Sequence, residues 1–313
     1  MRQPPRAKAI DLVMHPFVFL AAAQAAAMLP VLRVTDAASR RPVVLVGTMH
    51  YNPRSIALVR EVIRREGEAG SLASVCVELC DARWNSTDAY LDRWSRTAMI
   101  KRMMVEDEFL AAAETARGFG LTVRLVDQRI SDTVRRLGEL TALTLSELAQ
   151  PVSGWQRIGE AIGAATAQVR GGEAGLGRGA LLDLGLIAGA PIALARYPIS
   201  SPPVFVVLAG ALITLEVLDK AIANDVSIIG LPERLLEVAL AAACAALVAR
   251  VAFVGLLEER NYVLARNIRE ACEAAPIDGD SPDTVVAVLG MAHLNGVRTL
   301  LESDEALEPS SVS

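Results

Sequence analysis

Two stretches of this 313-residue chain share one pattern, an apolar run that ends in Gly-x-x-His. The first is VVLVGTMH, which ends at His50, and the second is VVAVLGMAH, which ends at His293. The whole chain has only three histidines, so a repeat of this pattern is not expected by chance. A continuous apolar run bounded by glycine is typical of a strand buried on both faces of a parallel sheet. The pattern therefore predicts an α/β fold in which Gly47 and Gly290 let the backbone turn sharply at two strand ends.

These strand ends predict a shared site, because functional side chains gather beyond the carboxyl ends of neighbouring parallel strands. Two neutral imidazoles supply half of the shell of a divalent transition metal, and one carboxylate would complete a three-ligand site. Glu78 is the candidate carboxylate, since it stands near the end of the apolar run SVCVEL, where an unpaired charge is costly. Arg83 is predicted to pair with Glu78 or to hold an anionic intermediate. A purely structural ion pair between Glu78 and Arg83 is the alternative.

Nearby residues carry weaker signals. Cys80, and less so Cys76, are candidates for a soft ligand or a reactive thiol, although small buried cysteines are common in strands. Asp127 and Arg129 follow a third apolar run, LTVRLV, and are predicted to lie on the same rim of the sheet. A helix cap with a salt bridge is the alternative for this second pair.

The rest of the pattern also favours an α/β class. Helices fill the intervals between apolar runs, so a mixed or largely parallel sheet with covering helices is the simplest architecture. Strands are predicted at 42–46, 74–79, 121–126 and 284–289, and helices include 109–117 and 262–272.

The chain is more apolar than such a fold requires, with 52% hydrophobic but only 4% aromatic residues. One surplus lies in residues 12–32, which carry no formal charge and fit a targeting signal, a signal anchor or an apolar helix of the domain. The other lies in residues 181–257, where prolines separate two apolar arms at 181–197 and 204–218. These arms predict a membrane hairpin, and a soluble helical insert that buries itself or forms a dimer contact is the alternative.

The predicted site limits the topology of the apolar insert. Glu78 precedes the insert and His293 follows it, so a shared site requires an even number of membrane crossings between them. Two crossings, by the hairpin at 181–218, are the preferred count. The apolar stretch at 238–249 is expected at the surface or in the domain, because the adjoining Arg250 is costly at a bilayer centre.

Charge and cysteine content exclude several classes. The net charge is −5 and no basic cluster is present, which argues against a nucleic-acid partner. The four cysteines form no CxxC pair, so neither a zinc finger nor a disulfide framework is predicted. Reduced thiols in an intracellular compartment are expected.

Five blocks of the sequence resemble, in order, those of the TraB/PrgY/GumN family, which is related to the Tiki metalloproteases and to erythromycin-esterase-like and ChaN-like folds. They cover roughly residues 42–135 and 257–300 and read VVLVGTMHYNPRSIALVREVI, SVCVELCDARW, AAAETARGFGLTVRLVDQRISDTVRR, EERNYVLARNI and VVAVLGMAHLNGV. The resemblance implies a metal-dependent hydrolase scaffold in which His50, His293 and Glu78 surround a divalent ion such as Mn, Co or Zn. Arg83 stands in the position of the family's arginine.

Three further positions match the family, and two positions depart from it. Asp127, Glu259 and Arg260 match further positions of the family. The sequence departs from the family at Gln128, which separates an acid from a base, and at Asn261, where an aspartate is usual.

The resulting organisation has a targeting or anchor segment at 1–41 and a TraB-like domain in two parts, 42–140 and 257–302. An apolar helical insert occupies 141–256, and a frayed tail occupies 303–313.

Two functions stay open at this stage. The first is a membrane-attached, metal-dependent peptidase or hydrolase, in which Glu78 is a ligand or general base and Arg83 holds developing negative charge. The second is a non-catalytic module that binds a peptide or protein partner at an organelle membrane. The basic, acid-poor first 35 residues and the VELC block, which resembles the eukaryotic members, favour a mitochondrial or plastid membrane.

Overall fold

The computed structural model describes residues 31–85, 107–170, 184–200, 231–274 and 283–304. The predicted N-terminal segment up to residue 30, the second hairpin arm at 204–218 and the tail from residue 305 lie outside the described residues. The main elements of the described part are, in chain order, β1 (Val31–Thr35), β2 (Pro42–Thr48), α1 (Pro53–Glu68), β3 (Leu72–Val77), α2 (Glu108–Arg117), β4 (Val123–Leu125), α3 (Ile130–Leu148), α4 (Ser153–Arg170), α5 (Leu184–Ser200), α6 (Leu231–Arg250), a π-helical segment (Val251–Glu258), α7 (Glu259–Glu273), β5 (Thr284–Gly290), a 3-10 turn (Met291–His293) and α8 (Leu294–Glu302).

The strands form one mixed sheet in the order β1-β2-β5-β3-β4. β1 runs antiparallel to β2, while β2, β5, β3 and β4 run parallel to one another. The α/β class and the mixed sheet predicted from the sequence are therefore confirmed. Because β5 lies between β2 and β3, the carboxyl ends of these three strands meet at one edge.

Helices cover both faces of the sheet, as the continuous apolar strands require. Val285, Ala287 and Leu289 of β5 belong to a core that also contains residues of α7 and α8. Val286 and Val288 point to the opposite face, where residues of α1 and α2 complete a second core.

Helix α1 begins beside the site. The Asn52 side chain accepts a hydrogen bond from the Arg54 N–H at 2.9 Å and caps the helix, and Pro53 occupies the first turn. Asn52 Nδ2 also donates to the Leu186 carbonyl oxygen of α5 at 2.9 Å. A Cβ atom added to Gly189 of α5 would lie 2.4 Å from Asn52 Oδ1, so glycine permits this close approach. The first arm of the predicted hairpin is thus helical from residue 184, and it packs against the domain next to α1.

Two continuous helices cross the predicted boundaries of the insert. Helix α3 runs through residue 140, and α6, the π-helical segment and α7 form one helical stretch through residue 256. Arg250, at the end of α6, is buried and pairs with Glu147 of α3, which Arg157 of α4 also contacts at 2.9 Å. The predicted boundaries at 140 and 256 therefore lie inside helices that continue from the insert into the predicted domain.

Among the described residues, one helix is long and apolar enough to cross a membrane, and it spans Val238–Glu273. Only 17% of its most apolar window is buried inside the structure, so most of this window is not a core helix. Val238, Leu240 and Val248 of α6 are among its exposed side chains. This is weak support for membrane association, and it comes from the stretch with Arg250 rather than from the predicted hairpin.

Candidate active site

Three side chains predicted for the site converge around Gly290, the last residue of β5. A Cβ atom added to Gly290 would lie 3.3 Å from Glu78 Oε2, 3.5 Å from His50 Nε2 and 3.6 Å from His293 Cδ2. His50 follows β2, Glu78 follows β3 and His293 follows β5, which are neighbouring parallel strands. The convergence thus results from strand order together with the missing side chain of Gly290.

The two glycines of the Gly-x-x-His motifs act differently from the prediction. Gly47 and Gly290 both lie within their strands, and Gly290 has φ −57° and ψ 137°, which other residues also adopt. The left-handed backbone near the site is instead at Tyr51, with φ 62°. Gly290 leaves open the space that the three side chains face, and it does not make a sharp turn.

Glu78 is a buried carboxylate with several partners. Its side chain is 3% exposed; Oε2 accepts from the Gly290 N–H at 2.6 Å, and Oε1 accepts from Arg260 Nη2 at 2.7 Å. His293 Nε2 lies 3.5 Å from Oε1. Burial opposes ionisation, but the charges of His293, Arg260 and His50 and the Gly290 N–H outweigh it and lower the pKa of Glu78 to about 2.

Arg260 is the guanidinium that pairs with Glu78, and it also donates to Asp127 Oδ2 at 2.8 Å and Oδ1 at 3.2 Å. Arg83, which was predicted to pair with Glu78, has its Nη1 3.5 Å from Asp127 Oδ2. Asp127 therefore lies on the same rim, as predicted, between two guanidinium groups. Arg260, from α7, thus makes the pair with Glu78 that was one of the two roles predicted for Arg83.

His50 is held by an acid that the sequence analysis did not single out. Its Nδ1 contacts Glu108 Oε1, and Glu108 Oε2 accepts from the Tyr51 N–H at 3.1 Å. Glu108 is fully buried, and Thr48 Oγ1 donates to it at 3.3 Å. Burial lowers the pKa of His50, but Glu108 and then Glu78 outweigh this effect, so that the pKa is raised.

His293 is held by a neutral amide. Its Nδ1 lies 2.7 Å from Asn261 Oδ1, and both residues are buried. Burial is the largest effect on this imidazole and lowers the pKa of His293 despite the nearby charge of Glu78. The two histidines therefore differ, since one has a carboxylate behind it and the other has a carboxamide.

The remaining predicted residues lie further out. Arg129 is exposed at the start of α3, and its side chain makes no capping hydrogen bond. Glu259 accepts three hydrogen bonds from Arg136 at 2.8 to 3.0 Å. Cys76 and Cys80 are buried, and burial is the main cause that raises the pKa of Cys76 to about 12. A buried thiol with a raised pKa is a poor nucleophile, which disfavours a reactive role for Cys76.

Comparisons with protein-family models, curated proteins and solved structures find no match to this chain. The fold and the site define an α/β protein with two histidines, a buried glutamate and an arginine at the carboxyl edge of a mixed sheet.

Two features of the site decide whether it fits a metal ion: the spacing of its side chains and the chemistry of its donor atoms. Within the described ranges, no three His, Cys, Asp or Glu side chains are spaced to hold a metal ion as they stand. The chemistry of the donors nevertheless fits a divalent transition metal in kind. With Nδ1 facing an oxygen acceptor, the Nε2 atom of each neutral imidazole has the lone pair. A metal would compete with protons for the imidazoles and with Arg260 for Glu78.

Proposed function

We propose that this protein is a membrane-associated, metal-dependent hydrolase, with peptides as the preferred substrate class. The observation that carries the proposal is the convergence of His50 Nε2, Glu78 Oε2 and the His293 ring on the space above Gly290. His50, His293 and Glu78 would hold Mn, Co or Zn. The sequence blocks that resemble the TraB/PrgY/GumN family, and the erythromycin-esterase-like fold that this resemblance implies, support the same proposal.

The bound metal would supply Lewis acidity and lower the pKa of water. Glu78 suits the role of ligand better than that of general base, because a carboxylate with a pKa of about 2 is a weak base. Glu108 and Asn261 orient the two imidazoles from behind. Arg83 and Arg260 lie on the same rim and would stabilise developing negative charge.

We assign membrane association to the apolar helical region. The exposed apolar surface of α6 supports this assignment. Since β5 pairs with both β2 and β3, Glu78 and His293 lie on the same side of any membrane, so the number of crossings between them is even. If α6 crosses, one further segment between β4 and α6 must cross too, and a single arm of the predicted hairpin at 181–218 is the candidate, because both arms together with α6 would give three crossings. A mitochondrial or plastid membrane remains our proposal for the compartment.

A peptide-cleavage screen tests the hydrolase. The purified full-length chain in detergent is stripped of metal and assayed against a mixed peptide library with and without Mn, Co or Zn. We expect cleavage that depends on the metal and is lost in His50→Ala and His293→Ala. The matched control is His15→Ala, which replaces the third histidine. Peptide binding without cleavage under all metals would contradict the hydrolase and favour the non-catalytic binding module.

A further inference from the structure

Three hydrogen bonds connect Glu258 to His293 through Gln168 and Asn261. Gln168 Nε2 of α4 donates to Glu258 Oε1 at 3.4 Å, and Asn261 Nδ2 donates to Gln168 Oε1 at 3.1 Å. The third bond joins His293 Nδ1 and Asn261 Oδ1 at 2.7 Å. We call these four residues the amide relay.

The carboxylate end fixes the direction of the amide relay. An ionised carboxylate can only accept hydrogen bonds, so Gln168 turns its NH2 group to Glu258 and its oxygen to Asn261. Asn261 then directs its NH2 group to Gln168 and its oxygen to His293. An oxygen acceptor at Nδ1 requires a proton on that nitrogen, which leaves the Nε2 lone pair of neutral His293 facing the site.

The position of this proton is a competition between two acceptors. Asn261 Oδ1 lies 2.7 Å from Nδ1, while Glu78 Oε1 lies 3.5 Å from Nε2 and favours a proton there. Asn261 is 1% exposed, so water has little access to its amide. A Cβ atom added to Gly296 would lie 2.0 Å from Asn261 Nδ2 and 3.2 Å from Gln168 Oε1, so this glycine provides the room for the relay.

We propose that Gln168 fixes the tautomer of His293 through Asn261, which makes α4 a positioning element of the site. Without the Gln168 oxygen, the Asn261 amide can rotate and offer its NH2 group to His293 Nδ1. The proton then resides on Nε2, the Nε2–H donates a hydrogen bond to Glu78, and no Nε2 lone pair remains for a cation. The effect on the tautomer depends only on the hydrogen bonds, whereas the effect on metal affinity rests on the proposed function.

Nitrogen NMR of metal-free, histidine-labelled full-length protein near pH 7.5 tests the relay, and single substitutions assign the three histidines. We expect the Nδ1–H form of His293 in the wild type and the Nε2–H form as the major species in Gln168→Ala and in Gln168→Met. The matched control is Gln156→Ala, an exposed glutamine of α4 that donates to Glu160 at 2.9 Å, and it should leave His293 unchanged. Adding Asn261→Asp to Gln168→Ala should restore the proton on Nδ1, because a carboxylate has no NH2 group to offer.

Metal titration separates the two proposals. Mn affinity should fall about tenfold or more in Gln168→Ala and recover in the variant that also carries Asn261→Asp, as expected for an outer-shell partner. An unchanged Nδ1–H form in both Gln168 variants, or an equal effect of Gln156→Ala, would overturn the relay. A tautomer change in a protein that binds no metal would support the relay and contradict the proposed function.

Discussion

Replacing Arg260 by methionine probes the electrostatics of the site most directly. Its side chain is 16% exposed and donates three hydrogen bonds to two carboxylates, Glu78 and Asp127, which are 3% and 5% exposed. Methionine keeps much of the apolar stem and removes the charge. Arg260→Met therefore leaves two buried anions without their shared cation.

The expected decrease in the free energy of unfolding follows from the pKa of Glu78. A pKa of about 2, against an ordinary 4.5, corresponds to about 3 kcal/mol in favour of the ionised folded form. The imidazoles and the Gly290 N–H supply part of this, but Asp127 also loses the nearer of its two guanidinium partners. We therefore expect Arg260→Met to lower the free energy of unfolding near pH 7 by ~3–5 kcal/mol, the range for breaking a buried pair.

The loss of stability in Arg260→Met should depend on pH. In the wild type the pKa of Glu78 is depressed, so its stabilisation is present above its ordinary pKa and is lost as the pH falls toward about 2. Without Arg260 the folded-state pKa of Glu78 rises, and protonation near pH 4.5 relieves the buried charge. The deficit of Arg260→Met should therefore shrink on acidification.

Urea unfolding followed by tryptophan fluorescence, near pH 7 and near pH 4.5, measures this deficit. The control is Arg298→Met, which removes an exposed partner of Glu302 at 3.1 Å and should cost less than about 1 kcal/mol. A deficit for Arg260→Met as small as that of the control, or one that grows on acidification, would refute the reasoning.

Three further substitutions test other parts of the account. Gly290→Ala adds a methyl group 3.3 to 3.6 Å from three site side chains and should weaken Mn binding on the order of tenfold in calorimetry. Unchanged affinity would contradict a metal site in the space above Gly290. Glu108→Gln removes the charge that raises the pKa of His50, so NMR titration should show a lower pKa, and an equal or higher value would count against this pairing. Arg250→Met leaves Glu147 short of a buried partner and should cost about 3 kcal/mol in urea unfolding, whereas adding Glu147→Leu should recover most of it. No recovery in the double variant would contradict the unpaired Glu147 charge as the source of the loss.

The parallel part of the sheet was predictable because its strands are continuous apolar runs bounded by turn residues. Strand β4 lies within its predicted range, and β2, β3 and β5 overlap theirs with ends that differ by one or two residues. β1 was not predicted, because Val31 and Leu32 read as the end of a charge-free segment and Arg33 follows at once. Its antiparallel pairing with β2 depends on contacts that no local pattern reveals.

The convergence of His50, Glu78 and His293 was predictable from one rule, that parallel strands end at the same edge of a sheet. Glu108 was not, because its partner is 58 residues away and the run VEDEF reads as a solvated charge cluster. The competition between Arg83 and Arg260 for Glu78 could not be decided from spacing, since it depends on how α7 packs beside β3. Contacts between distant parts of the chain therefore set the partners, while local patterns set the strands and their ends.

The metal content of the protein tests the central claim most directly. Metal-free wild type, His50→Ala, His293→Ala and the His15→Ala control would be dialysed against equal low concentrations of Mn, Co or Zn and analysed for bound metal. The proposed site predicts one bound ion per chain in the wild type and in His15→Ala. Both other variants should lose that ion. Loss of an outer-shell partner lowers metal affinity about 10- to 100-fold, and loss of a ligand should lower it further. Equal metal content in all four proteins, including none in any of them, would contradict the site.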